Sequence, residues 1–145
     1  MKYLTALIIC LFVFSGIAKS DNDKPISVNE LPQKAQHFIQ QFFSGNTVSY
    51  AKMEKELWDK NYDVVFANRE KIEFDKNGEW KKVSCKLTVV PDAIIPHQIK
   101  DYLAKQFPQA KVLKIEREYK GYEIELDNKL EIKFNSHFQV IKIDD

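Results

Sequence analysis

The sequence predicts an α+β protein built from two tandem repeats, each an α-helix packed on a roughly four-stranded antiparallel sheet. Three observations support this prediction. One series of apolar residues recurs in the same order about 60 residues later, each series opens at helical spacing, and each continues with alternating apolar and polar residues. Helical spacing gives one apolar stripe and alternation gives one apolar strand face, so each helix is expected to cover one face of its sheet.

The two predicted helices share an apolar stripe and a proline at the start. In the first repeat, Leu31, Ala35 and Phe38 lie on one helical face, and Pro32 occupies a first-turn position where its missing N–H costs nothing. The second helix repeats the stripe from Ile95, and Pro108 prevents its continuation. We expect both stripes to belong to the core.

Period-two alternation predicts the strands that follow each helix. It is clearest in Tyr62, Val64 and Phe66 and in their counterparts Tyr122, Ile124 and Leu126. The series Val83, Cys85, Leu87 and Val89 predicts a further strand with Cys85 buried. Turns are expected at sites that include Lys60-Asn61, and the joint between the repeats at Val90-Pro91-Asp92. The predicted units are therefore residues 21–90 and 91–145.

Residues 1–20 have the form of a secretory signal peptide. Lys2 precedes the apolar run Tyr3–Phe14, which is too short to span a bilayer, and cleavage is expected after Ala18 or Ser20. Removal takes away two lysines and no acidic residue, so the formal net charge falls from +1 to −1. We therefore expect a secreted or periplasmic bacterial protein with no nucleic-acid partner and no stable membrane insertion after removal of the signal.

Two short motifs recur at the corresponding positions of both repeats. They are the helix starts Leu31-Pro32-Gln33-Lys34-Ala35 and Ile95-Pro96-His97-Gln98-Ile99, and the strand–turn–strand segments 74–80 and 134–140. With the signal peptide, these motifs resemble the PepSY-like family of small bacterial periplasmic proteins, which is similar in turn to the beta-lactamase inhibitor protein fold. The resemblance covers about residues 26–145. It implies a non-catalytic binding or inhibitory role. The sequence departs from the family pattern in the second repeat, where Phe138 stands at the turn position that Gly78 occupies in the first.

The sequence contains no recognisable catalytic or metal-binding pattern. His37, His97 and His137 lack ligand spacing, and Cys85 has no histidine nearby in sequence. The alternating lysines and glutamates are explained by ion pairing on a wet sheet face. We therefore predict that the protein is not an enzyme and has no cofactor, no metal and no catalytic residue.

Four aromatic residues do not belong to the core stripes and are the candidate partner-binding residues. They are Trp58, Trp80, Tyr50 and Tyr119. Trp80 is out of phase with Val83 and Cys85, which predicts that its ring lies on the open sheet face. Tyrosine and tryptophan are enriched at recognition surfaces, although such rings also serve to cover sheet edges.

The leading functional hypothesis is a non-catalytic binding module that sterically inhibits another envelope protein. The alternative is a carrier or sensor that holds an apolar or sugar ligand against the same aromatic rings or between helix and sheet. A third hypothesis is a structural role in an envelope assembly through edge-strand pairing.

Overall fold

The computed structural model describes residues 22–145. The predicted signal peptide lies outside the described residues. The described part of the chain contains two α-helices and nine strands, which we number in chain order: β1 (Asp23–Ile26), α1 (Gln33–Phe42), β2 (Val48–Glu56), β3 (Asp59–Phe66), β4 (Lys71–Phe74), β5 (Trp80–Ser84), α2 (His97–Gln106), β6 (Val112–Glu118), β7 (Gly121–Leu126), β8 (Glu131–Asn135) and β9 (Val140–Asp144).

All nine strands form one antiparallel sheet in the order in which they occur in the chain. The α+β class is confirmed, but two repeats with separate four-stranded sheets are not. The strands β5 and β6 pair directly, with Val83 opposite Ile115, so the strands that follow the two helices share one hydrogen-bond ladder. Each helix is followed by four strands, and β1 is an additional strand at one edge. A division at residue 90 stays a prediction.

One row of small and branched apolar residues crosses the whole sheet. Directly opposed positions in successive strands are Ile26, Ala51, Val64, Ile72, Val83, Ile115, Ile124, Ile132 and Ile143. The seven members on β2–β8 are buried, and they form one core with the stripes of the two helices, Ala35 and Ile39 on α1 and Ile99 and Leu103 on α2. We call this line the apolar row.

The predicted strand through Leu87 and Val89 is wrong, although Cys85 is buried as expected. The strand β5 ends at Ser84. The N–H of Cys85 donates to the Leu113 carbonyl and that of Val90 donates to the Val112 carbonyl, while residues 86–89 turn out of the sheet between these two contacts. Leu87 and Val89 are consequently exposed.

The turn between β4 and β5 fixes the start of α1 against the sheet. Gly78 has φ +81°, and a Cβ there would lie 2.8 Å from the Cβ of Pro32 and 2.9 Å from the backbone nitrogen of Ala35. Lys34 also pairs with Glu79 across this contact at 2.7 Å. The glycine therefore satisfies both a backbone and a packing constraint.

We expect Gly78→Ala to lower the free energy of unfolding by about 1–3 kcal/mol, because the added Cβ is disfavoured at positive φ and has no space against α1. Denaturant unfolding measures the change. Gly45→Ala is the matched control, since nothing lies within 4 Å of its Cβ position. Equal effects of the two substitutions would contradict this explanation.

Candidate interaction surface

The hairpin between β2 and β3 ends in two exposed apolar side chains. Glu56 pairs with Asp59, so Leu57 and Trp58 alone form the connection. Both residues are 94% exposed. The turn expected at Lys60-Asn61 is instead part of β3, which moves Trp58 from an inserted loop to the tip of a long hairpin.

The hairpin between β6 and β7 has the same form. Glu118 pairs with Gly121, so Tyr119 and Lys120 form its tip. Tyr119 is 97% exposed, and the Lys120 ammonium lies 5.9 Å from the centre of its ring. Exposure of Trp58 and Tyr119 agrees with a recognition role for both, although their contact with a partner stays a prediction.

The two hairpin tips lie on the same side of the sheet, at the end where β2 and β6 finish. Neighbouring strands of this sheet are consecutive in the chain and antiparallel, so β2 and β6 run in the same direction. The hairpins that follow these two strands therefore turn at the same end of the strands. Four strand spacings separate the tips, a distance of about 19 Å. We call Leu57, Trp58 and Tyr119 the hairpin edge. Leu57 was not among the residues predicted from the sequence, because an isolated leucine is ordinarily a core residue.

Tyr50 lies apart from the hairpin edge. It occupies β2 eight residues before Trp58, about 26 Å away along the strand. Its partner in the ladder is Val65, next to a register shift in β2, and its ring is 52% exposed on the sheet face opposite the helices. The structure therefore does not bring Tyr50 together with Trp58 and Tyr119.

The expected position of Trp80 on the open face is wrong. The register shifts between Glu73 and Phe74, and this irregularity places Trp80 opposite the buried Phe74. Its ring is only 7% exposed. The Arg117 guanidinium carbon lies 3.9 Å from the ring centre, which covers the indole from the solvent side. An irregularity of this kind reverses the phase of the alternation and cannot be seen in the alternation itself.

The open face is the face of the sheet that the helices do not cover. It carries two rows of mainly charged residues, one at the strand positions on each side of the apolar row. The upper charged row, nearer the hairpin edge, contains Lys52, Asp63, Glu73, Lys82, Glu116, Glu123, Lys133 and Lys142. The lower charged row contains Lys71, Lys114, Glu125, Glu131 and Asp144, with Tyr50, Val65 and Ser84 at its other positions.

Lysines in these rows bridge several carboxylates each. Lys71 lies 2.9 Å from the buried Asp63 and 2.8 Å from Glu73. Lys133 lies 2.8 Å from Glu123 and 3.1 Å from Glu118. Opposite charges that are already paired on a sheet face favour solvation of that face over docking of an apolar partner.

The pKa values of this network move in the directions that favour the charged forms. The hydrogen bond to Glu123 raises the pKa of Lys133, and the bond to Glu118 adds to the effect. The same Lys133 contact lowers the pKa of Glu123, against the opposing effect of burial, and the charge of Lys114 lowers it further. Burial alone would lower the pKa of Lys114, but the charges of Glu123 and Glu131 outweigh it and raise that pKa.

We expect Glu123→Gln to reduce the loss of stability in acid. Because the folded pKa of Glu123 lies below the ordinary 4.5, the carboxylate stabilises the fold above that value and loses its contribution as the pH falls through the folded pKa. Denaturant unfolding from pH 7 to pH 3 compares the variant with the wild type. Two parallel stability curves would refute this assignment.

Cys85 is unsuited to nucleophilic chemistry. Burial, together with the nearby charge of Glu70, raises the pKa of the thiol to about 12, and the thiolate is the reactive form. Glu70 is itself buried, and it accepts hydrogen bonds from the side chains of Asn46 and Thr88, the latter at 2.5 Å. This cluster joins three connecting segments.

The histidines and carboxylates do not assemble a metal site in the part of the chain that the structure describes. His97 contacts Asp101 at 3.2 Å as an exposed i,i+4 pair. Within residues 22–145, no group of three or more histidine, cysteine, aspartate or glutamate side chains is arranged to hold a metal ion.

A shallow groove of about 410 Å³ runs between α2 and β6. Apolar side chains that include Val89, Ile95 and Leu103 line it, and Lys100 and Lys111 lie among its polar lining. Lys100 pairs with Asp92 at 2.9 Å. The groove is open to solvent, so any ligand held there would remain partly exposed.

These features define a class of protein: a single-sheet α+β protein with a charged open face and two exposed hairpin tips. No helix among the described residues is long and apolar enough to cross a membrane. Residues 60–142 match a family described as beta-lactamase-inhibitor-like and PepSY-like. The chain belongs to this PepSY-like family.

Three solved structures are similar over nearly their whole length. A proposed periplasmic protein of the DUF2874 family from Bacteroides vulgatus is 53% identical, with a TM-score of 0.85 over 87% of this chain and 99% of its own. A proposed calcium-regulated periplasmic protein from Bacteroides thetaiotaomicron is 52% identical, with a TM-score of 0.84 over 86% of this chain and 98% of its own. A further B. vulgatus protein of unknown function, also a proposed periplasmic protein, is 38% identical, with a TM-score of 0.80 over 85% and 99%.

A search of curated proteins found no match. Like these relatives, the protein is periplasmic, which agrees with the localisation that the sequence predicted. The relatives do not identify a binding partner for this chain.

Proposed function

We propose that the protein is a non-catalytic binding module of the periplasm that contacts another envelope protein through its hairpin edge. The observation that supports this proposal is the near-complete exposure of Leu57, Trp58 and Tyr119 at one edge of the sheet. Large apolar side chains at such positions contribute little to the core, whereas burying each in an interface is worth about 1.5–3 kcal/mol.

The spacing of the tips favours a macromolecular partner. A small ligand cannot contact two side chains about 19 Å apart, whereas a protein surface of ordinary interface size can. Tryptophan and tyrosine are the side chains that most often dominate binding energy. Inhibition would then be steric, because two tips inserted into depressions of the partner exclude other molecules without any chemical step.

The equivalent location of the two tips also supports the tandem-repeat hypothesis. Each tip connects the first and second strands after a helix, and each carries an exposed aromatic side chain. A duplicated unit would supply two such contacts to a partner from one chain, and binding through both would be stronger than through either alone.

We expect Trp58→Ala and Tyr119→Ala each to weaken partner binding roughly 30-fold, as truncation at dominant interface positions costs about 2 kcal/mol. The tagged wild type first captures its partner from the native envelope fraction. The dissociation constant is then measured with the purified partner. Runs with calcium and with a chelator are included because one relative is proposed to be calcium-regulated.

Tyr50→Ala is the matched control, because it removes an exposed aromatic ring from the charged face. The proposal requires that this variant bind like the wild type while all three variants unfold at similar denaturant concentrations. Equal binding by the Trp58 variant and the wild type would overturn it. A loss confined to the Tyr50 variant would assign binding to the open face instead.

The groove between α2 and β6 supports a second candidate function, the transport or sensing of an apolar ligand with an anionic group. Its apolar lining suits an alkyl or aromatic body, and Lys111 suits the anion, whereas Lys100 already pairs with Asp92 in the same lining. Native mass spectrometry of protein purified from the periplasm would then show a bound small molecule. Leu103→Trp, which fills the groove, should abolish the added mass, whereas Trp58→Ala should not. An unliganded wild-type spectrum contradicts this candidate.

A further inference from the structure

The two outer strands of the sheet differ in how they end it. The strand β1 has four residues and contains Pro25, which lacks the N–H that a further strand would need. The strand β9 contains no proline and carries two exposed isoleucines, Ile141 at 63% and Ile143 at 46%. An edge with free backbone groups and apolar side chains is a template for another strand.

At β9, the apolar row ends with a partly exposed side chain and each charged row ends with neighbouring charges of the same sign. The apolar row ends at the half-exposed Ile143. The upper charged row ends in two neighbouring lysines, Lys133 and Lys142. The lower charged row ends in three neighbouring acidic residues, Glu125, Glu131 and Asp144. Within one copy, Lys142 and Asp144 pair with each other along the strand at 2.7 Å, and both side chains stay largely exposed. Like charges in directly opposed positions destabilise a sheet, so an opposite charge across the edge would still be favourable at the end of each charged row.

We propose that β9 pairs antiparallel with β9 of a second copy of this chain, about a two-fold axis through Ile143. In this register Lys142 lies opposite Asp144 of the second copy, and Asp144 lies opposite Lys142. The upper row of each copy thus continues into the lower row of the other, so lysines meet acidic residues at both junctions. The apolar row continues through the two facing Ile143 side chains, giving a sheet of eighteen strands.

The charges select this register over its neighbours. Antiparallel two-fold pairing must centre on a residue of β9 so that the two copies keep the same faces. Centring on Lys142 places two lysines in opposition, and centring on Asp144 places two aspartates in opposition. Centring on Ile141 uses the segment where β9 shifts register against β8, between Lys133 and Phe134 on the facing strand. Only the Ile143 centre combines regular pairing with two ion pairs.

The ladder is short, so we expect dimerisation to depend on concentration and salt. Sedimentation velocity of the purified protein over a range of concentrations should show a monomer–dimer equilibrium. Raising the salt from about 50 mM to about 500 mM should shift the equilibrium toward monomer, because exposed ion pairs are screened. A monomer at every concentration at low salt would overturn the proposal.

A charge-swap series tests the register. Lys142→Asp and Asp144→Lys should each weaken the dimer at least about tenfold, since two-fold symmetry turns both ion pairs into like-charge pairs. Within one copy, each single change breaks the exposed Lys142–Asp144 ion pair but places an opposite charge beside Lys133 or Glu131, so the stability of the monomer should change little. The double variant should recover dimerisation. Failure of the double variant to recover it would overturn the proposed register.

Cross-linking provides an independent measurement. The Ile143→Cys substitution should yield a disulfide-linked dimer on oxidation, because the two positions face each other across the axis. Ile141→Cys is the matched control, as its copies would lie about 13 Å apart along the ladder, beyond disulfide reach. The buried Cys85 should not react in either variant. Preferential cross-linking of the Ile141 variant would contradict the proposed axis.

Discussion

The apolar row is the constraint on which the rest of the structure depends. Its members on β2–β8 are buried, and the junction of Val83 with Ile115 joins the strands that follow α1 to those that follow α2. Because side chains alternate along a strand, fixing this row on one face fixes the flanking rows on the other. Those flanking positions are mostly charged and paired, and the described part of the chain therefore has a core side covered by helices and a solvated side of mainly charged residues.

The sequence predicted those features that depend on local periodicity. Both helices, most of the strand alternation and the burial of Cys85 follow from side-chain spacing, and they are present in the structure. The position of Trp80 was not predictable in this way, because one irregularity between Glu73 and Phe74 places its ring on the core side. Similarly, Leu87 and Val89 continue the alternation in sequence while two backbone contacts to β6 hold their segment out of the sheet.

The candidate site was only partly predictable for a related reason. The exposure of Trp58 and Tyr119 follows from their places in turns, but their common edge depends on the direction of strands that are distant in sequence. That direction is set by the antiparallel pairing of β5 with β6. Leu57 acquires significance in the same way, since its exposure depends on pairing of Glu56 with Asp59 rather than on its own residue type.

The two halves of the sheet use different chemistry at equivalent turns, which separates what the fold requires from what each half has acquired. Gly78 and Phe138 both adopt positive φ, at 81° and 60°. A Cβ at Gly78 would meet the start of α1, whereas the Phe138 ring stacks on Tyr122 at 5.6 Å between ring centres. Left-handed backbone is thus the shared requirement of the turn, and close helix contact is specific to the first half. The same distinction applies to the sheet edges: Pro25 limits pairing at β1, whereas β9 contains no proline, and its exposed Lys142–Asp144 ion pair could be exchanged for pairs with another strand.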